Sequence, residues 1–524
     1  MQLPSYVVVV ALLCSLLFVA GVTADIGDVN NLLYNTLKAS DSTITAVTTA
    51  TISSGGTVQW NSAFTTGVGN RALTTTMTTD RCFHMNTMGE LFVVLAALQL
   101  QQDFAFATTL DDTLNTAYTP SNLTFTNPKN GYNISYKQLM QHTSSILDTS
   151  FATFATTSSS TVTSLSTFLS SYFVTVTSGV PALNSAVFSS SQPGLATSYS
   201  FARANTALLS FILENVIADK NVGFTSLADY ITATFLAPMG MSSTFFLTNA
   251  SYPGLTTIPS FTGTYPSMAT SNNTVSAAYY SGCVIDQMST VTTLHPAIFA
   301  DYMGFTTGGD LVRMVKGLFF STTFSTIVSL MRDIVSISTS VARFSGQSGQ
   351  GLGLQYFNGD TVCASAKGTS VVSTCTVSNA TTIYGYLSNR AYMENGFLCT
   401  NTGSTTYGLV CVVTSILHTS SSTRGPANVM AMAAVTYQDL VGNVTVTGVP
   451  AATPVPAQVQ SDWFGVYCFL GVYLTLLGTY FGTLALQWLF QPAALAMAAD
   501  SSGAASLGYA ARNSPPRDTS MMAD

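Results

Sequence analysis

The sequence predicts an α/β fold, an antiparallel sheet flanked by helices, followed by one carboxy-terminal transmembrane helix. Three observations carry this prediction. First, Leu91 to Leu100 is an almost wholly apolar run, opened by Asn86-Thr87 and closed by Gln99 to Asp103. It reads as a buried helix of roughly three turns, which needs other layers to cover it. Second, the segments before it read as a helix, Asp25 to Lys38, and then short strands from Thr43 to Gly69. Ser54-Gly55-Gly56 and Gly67-Val68-Gly69 break those strands, and the order of helix, strands and helix agrees with an α/β domain whose sheet is antiparallel. Third, Trp463 to Phe490 contains no charge for 28 residues, more than the ~20 that span a bilayer.

Of 524 residues, 47% are hydrophobic and 7% charged, far below the usual quarter. The chain can bury a large core, and its length alone suits one large domain or two to four smaller ones. Its surface must be made polar by Ser, Thr, Asn and Gln, or by sugar. A net charge of -7 with no basic cluster leaves no electrostatic footprint for nucleic acid.

The two ends set the expected topology. Tyr6 to Ala20 is apolar and Val22-Thr23-Ala24 suits cleavage after Ala24, so residues 1–24 read as a signal peptide without the usual basic start. Trp463, Tyr467, Tyr480 and Trp488 sit towards the two ends of the uncharged span, as interfacial aromatics do. With only Arg512 and Arg517 in the tail, orientation rests on the signal peptide. Glycosylation sequons begin at Asn122, Asn133, Asn249, Asn272, Asn379 and Asn443, all between the two apolar segments. Cys14 leaves with the signal and Cys468 lies in the span, leaving Cys82, Cys283, Cys363, Cys375, Cys399 and Cys411 as disulfide candidates. Cys399 and Cys411 flank a turn-rich segment that could join two strands, and Cys363 and Cys375 bracket one loop. Cys82 with Cys283 then remains by elimination.

Motifs along the chain add a family resemblance. Phe83, Leu98-Gln99-Leu100 and Leu110-Asp111-Asp112 stand in register with an aromatic residue ahead of S-x-x-K, a Leu-Gln-Leu and a Leu-Asp-Asp-Pro. In this the chain resembles the serine β-lactamase and penicillin-binding protein superfamily, in its class C, β-lactamase-related branch. Residues 133–148, NISYKQLMQHTSSILD, are similar to I-T-I-R-x-L-L-x-H-T-S-G-L, keeping His142-Thr143-Ser144 and replacing the glycine by Ser145. Thr149 to Ser191 is Ser/Thr-rich, with Phe151, Phe154, Leu165 and Phe168 at helical intervals. Pro193-Gly194 and the run to Ile217 resemble the segment carrying Y-x-N. Counted from the proline, Tyr199 takes the tyrosine position; counted from Leu208-Leu209, Phe201 does, and the asparagine is missing either way. Pro238 to Met241 matches F-x-P-L-G-M, Gly308 to Met314 a helix opening, and Gly351-Leu352-Gly353 the strand Y-G-L-G-W. Gly396-Phe397-Leu398 and Gly408 to Ser415 resemble the final hairpin, and Asn428 to Leu440 the closing helix. The resemblance implies a β-lactamase/transpeptidase-like domain, in which an opening helix and a hairpin begin the central sheet, with a helical subdomain.

The same register implies the chemistry and its loss. Thr87 stands at the position of the nucleophilic serine and Glu90 at that of its lysine. Counted back from Gly396, Arg390-Ala391-Tyr392 replaces H-x-G or K-T-G, leaving Arg390 to stand in for its cation. Acyl transfer needs a hydroxyl, a group that takes its proton, and N–H donors for the oxyanion. Glu90 inverts the charge there; at ~4 Å and an effective dielectric of ~20, one unit pair is worth about 4 kcal/mol. Thr-x-x-Glu before an apolar run also reads as a capping box, with the pair closing the helix start. His84, three residues before Thr87, is a further candidate base; His142 reads as a hydrogen-bonded turn residue. The four histidines have no metal-ligand spacing, and the glycines at 346, 349, 351 and 353 lack the Lys-Ser/Thr of a phosphate loop, so neither metal nor cofactor is expected.

The expected organisation is a signal peptide at 1–24, an extracellular domain at 25–445, a Pro-containing stalk at 446–461, a membrane helix at 462–490 and a cytoplasmic tail at 491–524. Its partners would be the lipid bilayer and an extracellular ligand, at the cell surface or an endomembrane. The leading expectation is a catalytically silent serine-hydrolase homologue that binds rather than turns over. The alternatives are a working hydrolase of peptides or esters using Thr87, and a glycosylated surface-coat protein.

Overall fold

The computed structural model describes residues 43–53, 57–65, 82–148, 151, 165–246, 283–284, 304–360, 362–363, 374–377, 382–390, 393–401, 408–418, 427–433 and 444–447. The chain divides into two compact units, Met1–Ala452 and Thr453–Asp524, and all of these residues lie in the first. The expected signal peptide, the helix at Asp25 to Lys38, the membrane helix and the tail fall outside them. No described helix is long and apolar enough to cross a membrane.

An eight-stranded sheet organises the unit. Its order is Thr57–Thr65, Ile44–Ser53, Leu409–His418, Met393–Asn401, Thr382–Arg390, Gln355–Asn358, Gln347–Gln350 and Val335–Ser336, and every pairing is antiparallel. The expected opening hairpin is present as its first two strands. Ile44–Ser53 is rich in β-branched residues, which suit a pleated surface, and it buries Val47, Thr49 and Thr51 at alternate positions and Thr48, Ala50 and Ile52 at the others. Both faces of that strand are therefore covered. Glycines 351 and 353 lie in the turn between Gln347–Gln350 and Gln355–Asn358 rather than in a strand, and Gly353 has φ +76°.

The apolar run forms the helix Gly89–Phe104, which is two residues longer at the start than the run and ends at Ala105 in the left-handed region. Every residue from Gly89 to Leu98 is buried, as expected of a helix that is apolar all round. It packs against Arg203–Asp219, and that helix in turn against Tyr136–Met140 and Leu165–Phe173, which together make the helical part. Beyond Leu165–Phe173 the chain forms a hairpin, Val174–Thr177 with Val180–Leu183, where helical spacing had been read.

The final hairpin is present as read: Cys399 and Cys411 face each other across Met393–Asn401 and Leu409–His418 and form a disulfide. Cys363 is also disulfide-bonded, and Cys375, its expected partner, lies in Thr374–Val377. The backbones of Cys82 and Cys283 pair directly in two parallel strands. Residues 427–433 are helical at the expected closing helix. Val444–Thr447, which spans the boundary read at residue 445, pairs with Thr374–Val377. Asn122 and Asn133 are exposed; Asn249, Asn272, Asn379 and Asn443 lie outside the described residues.

Candidate active site

Thr87 sits in a single 3₁₀ turn, Asn86–Met88, between the strand Cys82–His84 and the buried helix. Asn86 has φ +52°, a conformation that asparagine tolerates better than most residues. The turn brings Thr87 against the middle of Thr382–Arg390, where Gly385 allows that strand to lie against the carbonyl of Phe397. The expected capping box does not form. The helix N-cap is Met88, it makes no side-chain cap, and Thr87 precedes it in the 3₁₀ turn. A capping box does form one motif later, where Ser135 and Gln138 open Tyr136–Met140.

Thr87 has better partners than a helix end. Its hydroxyl donates to Ser388 Oγ at 2.9 Å and accepts from Arg343 Nη2 at 3.0 Å. The Arg343 guanidinium carbon lies over Phe201, 3.4 Å from the ring centroid, and 4.7 Å from that of Phe344. Its Nη1 is buried without a hydrogen-bond partner among the described residues. Tyr386, two residues before Ser388 and so on the same strand face, donates to the Thr87 carbonyl at 2.6 Å and lies 3.0 Å from Glu90 Oε2. Burial pushes the Tyr386 phenol well above its usual range, the Glu90 charge adding to this and Arg343 opposing it, so it remains a neutral donor.

A phenol has one proton, and the shorter contact takes it to the carbonyl. The donor left to Glu90 is His142, whose Nε2 is 3.5 Å from Oε2. The His142 tautomer follows from its other nitrogen, since the Ala202 N–H donates to Nδ1 at 3.3 Å. Asn205 Nδ2 also lies 3.3 Å from Nδ1, and Ser144 Oγ donates to Asn205 Oδ1 at 2.6 Å. The proton of neutral His142 therefore stands on Nε2, towards Glu90. Glu90 is 3% exposed and its Oε1 has no partner among the described residues. The space enclosed beside it, between Met140, Phe201, Gln350 and Tyr386, is about 10 Å³, room for roughly one water.

The remaining expected residues fall as follows. Tyr199 is buried with its hydroxyl at Gln347, 3.2 Å from Nε2, and burial pushes its phenol up to about 12. Phe201 is the one at the cleft, tilted 42° against His142 with centroids 4.7 Å apart. Arg390 ends its strand opposite Met393, two residues past Ser388, and the strand side chain that reaches Thr87 is that of Ser388. Ser145, at the family's glycine, keeps a left-handed backbone with φ +66°. Asp148 pairs with Arg203 at 2.7 Å; burial raises its carboxyl and Arg203 opposes that. Arg343, Tyr386 and Ser388 belong to no motif found in the sequence. Among the described residues, no group of three His, Cys, Asp or Glu side chains could hold a metal ion.

The family model described as Beta-lactamase matches residues 41–394. The chain belongs to the β-lactamase family. Solved structures agree on the fold of this family member: D-amino acid amidase from Ochrobactrum anthropi SV3, complexed with L-phenylalanine, matches with a TM-score of 0.50 at 14% identity, over 79% of this chain and 99% of that one. The β-lactamase/D-alanine carboxypeptidase from Yersinia pestis follows at 0.49 and 12%, over 77% and 95%. The class C β-lactamase from Rhodobacter sphaeroides stands at 0.49 and 13%, over 79% and 99%. No curated protein matches this family member in sequence.

Proposed function

We propose that this chain is a membrane-anchored, non-acylating member of the β-lactamase family that binds a ligand, outside the cell or in an endomembrane lumen. The observation that carries the reading is the identity of the cation at Thr87 Oγ1, the Arg343 guanidinium. A guanidinium donates five N–H groups and does not give one up, so it cannot take the proton of an attacking hydroxyl. The proton of Thr87 points instead to Ser388, another hydroxyl. Glu90 faces the His142 Nε2 at 3.5 Å, with the Tyr386 hydroxyl 3.0 Å from the same oxygen. A positioned base contributes roughly 10²–10⁴-fold to such reactions. Without one, and with a carboxylate repelling the developing oxyanion, acyl transfer is suppressed further.

A second reading has one observation in its favour: Thr87 retains a hydroxyl, hydrogen-bonded to the sheet, at the family's nucleophile position. On that reading the chain hydrolyses small amides or esters, as the name of the amidase it resembles suggests for that protein. The two readings separate on the full-length chain in detergent. A labelled penicillin and a fluorophosphonate are expected to leave no adduct on Thr87 by mass spectrometry, and p-nitrophenyl ester turnover is expected to match that of Thr87→Ala. An adduct at Thr87, or turnover that disappears in Thr87→Ala, establishes the hydrolase instead.

A further inference from the structure

Side chains at 384, 386 and 388 share one face of the strand Thr382–Arg390. Tyr386 and Ser388 serve the cleft. Tyr384, roughly 13 Å along the strand from Ser388 at ~3.3 Å per residue, faces a different cavity of about 280 Å³, lined by Arg332, Ile334, Tyr356, Thr382, Tyr384 and Asn401. None of these residues lines the space beside Glu90.

The chemistry of this second cavity is lopsided. Tyr356 and Tyr384 form an aromatic wall, with ring centroids 6.0 Å apart and planes 34° from parallel. Ile334, 47% exposed, adds an apolar rim. Arg332 is the cation: its carbon Cζ lies 5.2 Å from the Tyr384 ring centroid and its Nη2 donates to the Tyr384 hydroxyl at 3.1 Å. That bond uses one of five N–H groups, and among the described residues no carboxylate pairs with Arg332. Its neighbour Asp333 is turned away, 2.8 Å from Lys137 Nζ. The Tyr356 hydroxyl, meanwhile, is buried without a hydrogen-bond partner among the described residues.

We infer that this cavity is a second ligand site, which takes a small carboxylate carrying a flat apolar ring. A guanidinium matches a carboxylate in plane and in spacing, with two parallel N–H···O bonds. The tyrosine wall covers the ring, since offset or tilted stacking suits aromatic faces. Tyr384, already accepting from Arg332, has its own hydroxyl proton left for the ligand. The volume admits about a single ring with its acid group, at the small end of ligand pockets. An inorganic anion would leave the wall uncovered, and a neutral ring would leave Arg332 unpaired.

The test uses the full-length chain and benzoate, followed by saturation-transfer NMR and calorimetry. Benzoate is expected to bind saturably, benzamide roughly tenfold more weakly, and inorganic phosphate is expected not to displace it. Arg332→Gln, an exposed position that should leave the melting temperature unchanged, is expected to weaken benzoate roughly tenfold. Tyr384→Leu should weaken benzoate and benzamide alike, because it removes the wall they share. The inference is overturned by any of three results: no saturable benzoate binding at millimolar concentration, equal affinity for benzamide, or binding that survives Arg332→Gln. Loss of benzoate binding in Arg343→Gln alone would also overturn it, by placing the ligand in the cleft.

Discussion

Arg343 illustrates how one side chain can hold a site together and, on the proposed reading, also keep it from acylating. Its guanidinium lies over Phe201 and donates to Thr87, so truncation removes a cation–π contact and a charged hydrogen bond together. Arg343→Ala is expected to cost about 2 kcal/mol in chemical denaturation. A double-mutant cycle with Thr87→Ala should return a coupling of about 1.5 kcal/mol; additivity of the two variants would show that the contact contributes nothing. A separate residue sets a pH dependence. Burial raises the Glu214 carboxyl from 4.5 to about 7, Asp229 adding to the rise and the Leu227 N–H opposing it. The folded state thus holds a proton that the unfolded chain has released, and stability falls as pH rises from about 4.5 to about 7. Glu214→Gln should flatten that slope and raise stability at pH 8 by up to about 3 kcal/mol, measured as denaturation midpoint against pH. At this scale legibility divides by distance along the chain. Thr87 and Glu90 were readable because they lie inside one contiguous motif, whereas Arg343 and Ser388 reach Thr87 from 256 and 301 residues away. No local pattern marks an arginine that folding delivers to a hydroxyl.

Between elements, the polar contacts that matter join strands rather than helices. His418, at the end of Leu409–His418, lies 2.9 Å from Thr43 Oγ1 through Nδ1 and 3.2 Å from Glu394 Oε1 through Nε2. Asn428 Nδ2, in the helical segment 427–433, donates to the same Glu394 oxygen at 3.3 Å. One imidazole–carboxylate contact therefore ties the first strand of the sheet, its last two and the closing helix. Glu394 and His418 have fully buried side chains, and removing one of them takes a buried charged contact from the other. His418→Ala is accordingly expected to destabilise by about 3 kcal/mol in urea titration, with a matching loss in Glu394→Ala and little further loss in the double variant. Full additivity would mean that the two side chains act separately. The strands themselves were legible where turn chemistry punctuates them: Ser54-Gly55-Gly56 marks the first hairpin, and the paired Cys399 and Cys411 mark the last. The hairpin at Val174–Thr177 and Val180–Leu183 was not, because Thr149 to Ser191 carries Phe and Leu at helical spacing up to its start. There tertiary position overrides periodicity, and Ser178-Gly179, both with positive φ, supply the turn.

For the molecule as a whole, the sheet order makes the two ends of the domain interdependent. Ile44–Ser53 pairs with Thr57–Thr65 on one side and with Leu409–His418 on the other, so residues some 365 positions apart are neighbours. The strand buries Ile44, Val47 and Ile52 at 0–1% exposure, and at about 1.5–3 kcal/mol per fully buried aliphatic side chain it contributes on the order of the net stability of a domain. Its loss would also leave Leu409–His418 as an unpaired edge, with buried Val413 and Ile416 uncovered along it. A chain lacking residues 44–65 is therefore expected to lose its near-ultraviolet circular dichroism and its cooperative melting transition. In hydrogen exchange, the amides of Leu409–His418 should lose protection first, and those of Gly89–Phe104 with them, because the cleft is built on the same sheet. A deletion variant that kept protection in both elements would mean that the first hairpin is an appendage, and that Thr87 and its partners are positioned by the helices alone.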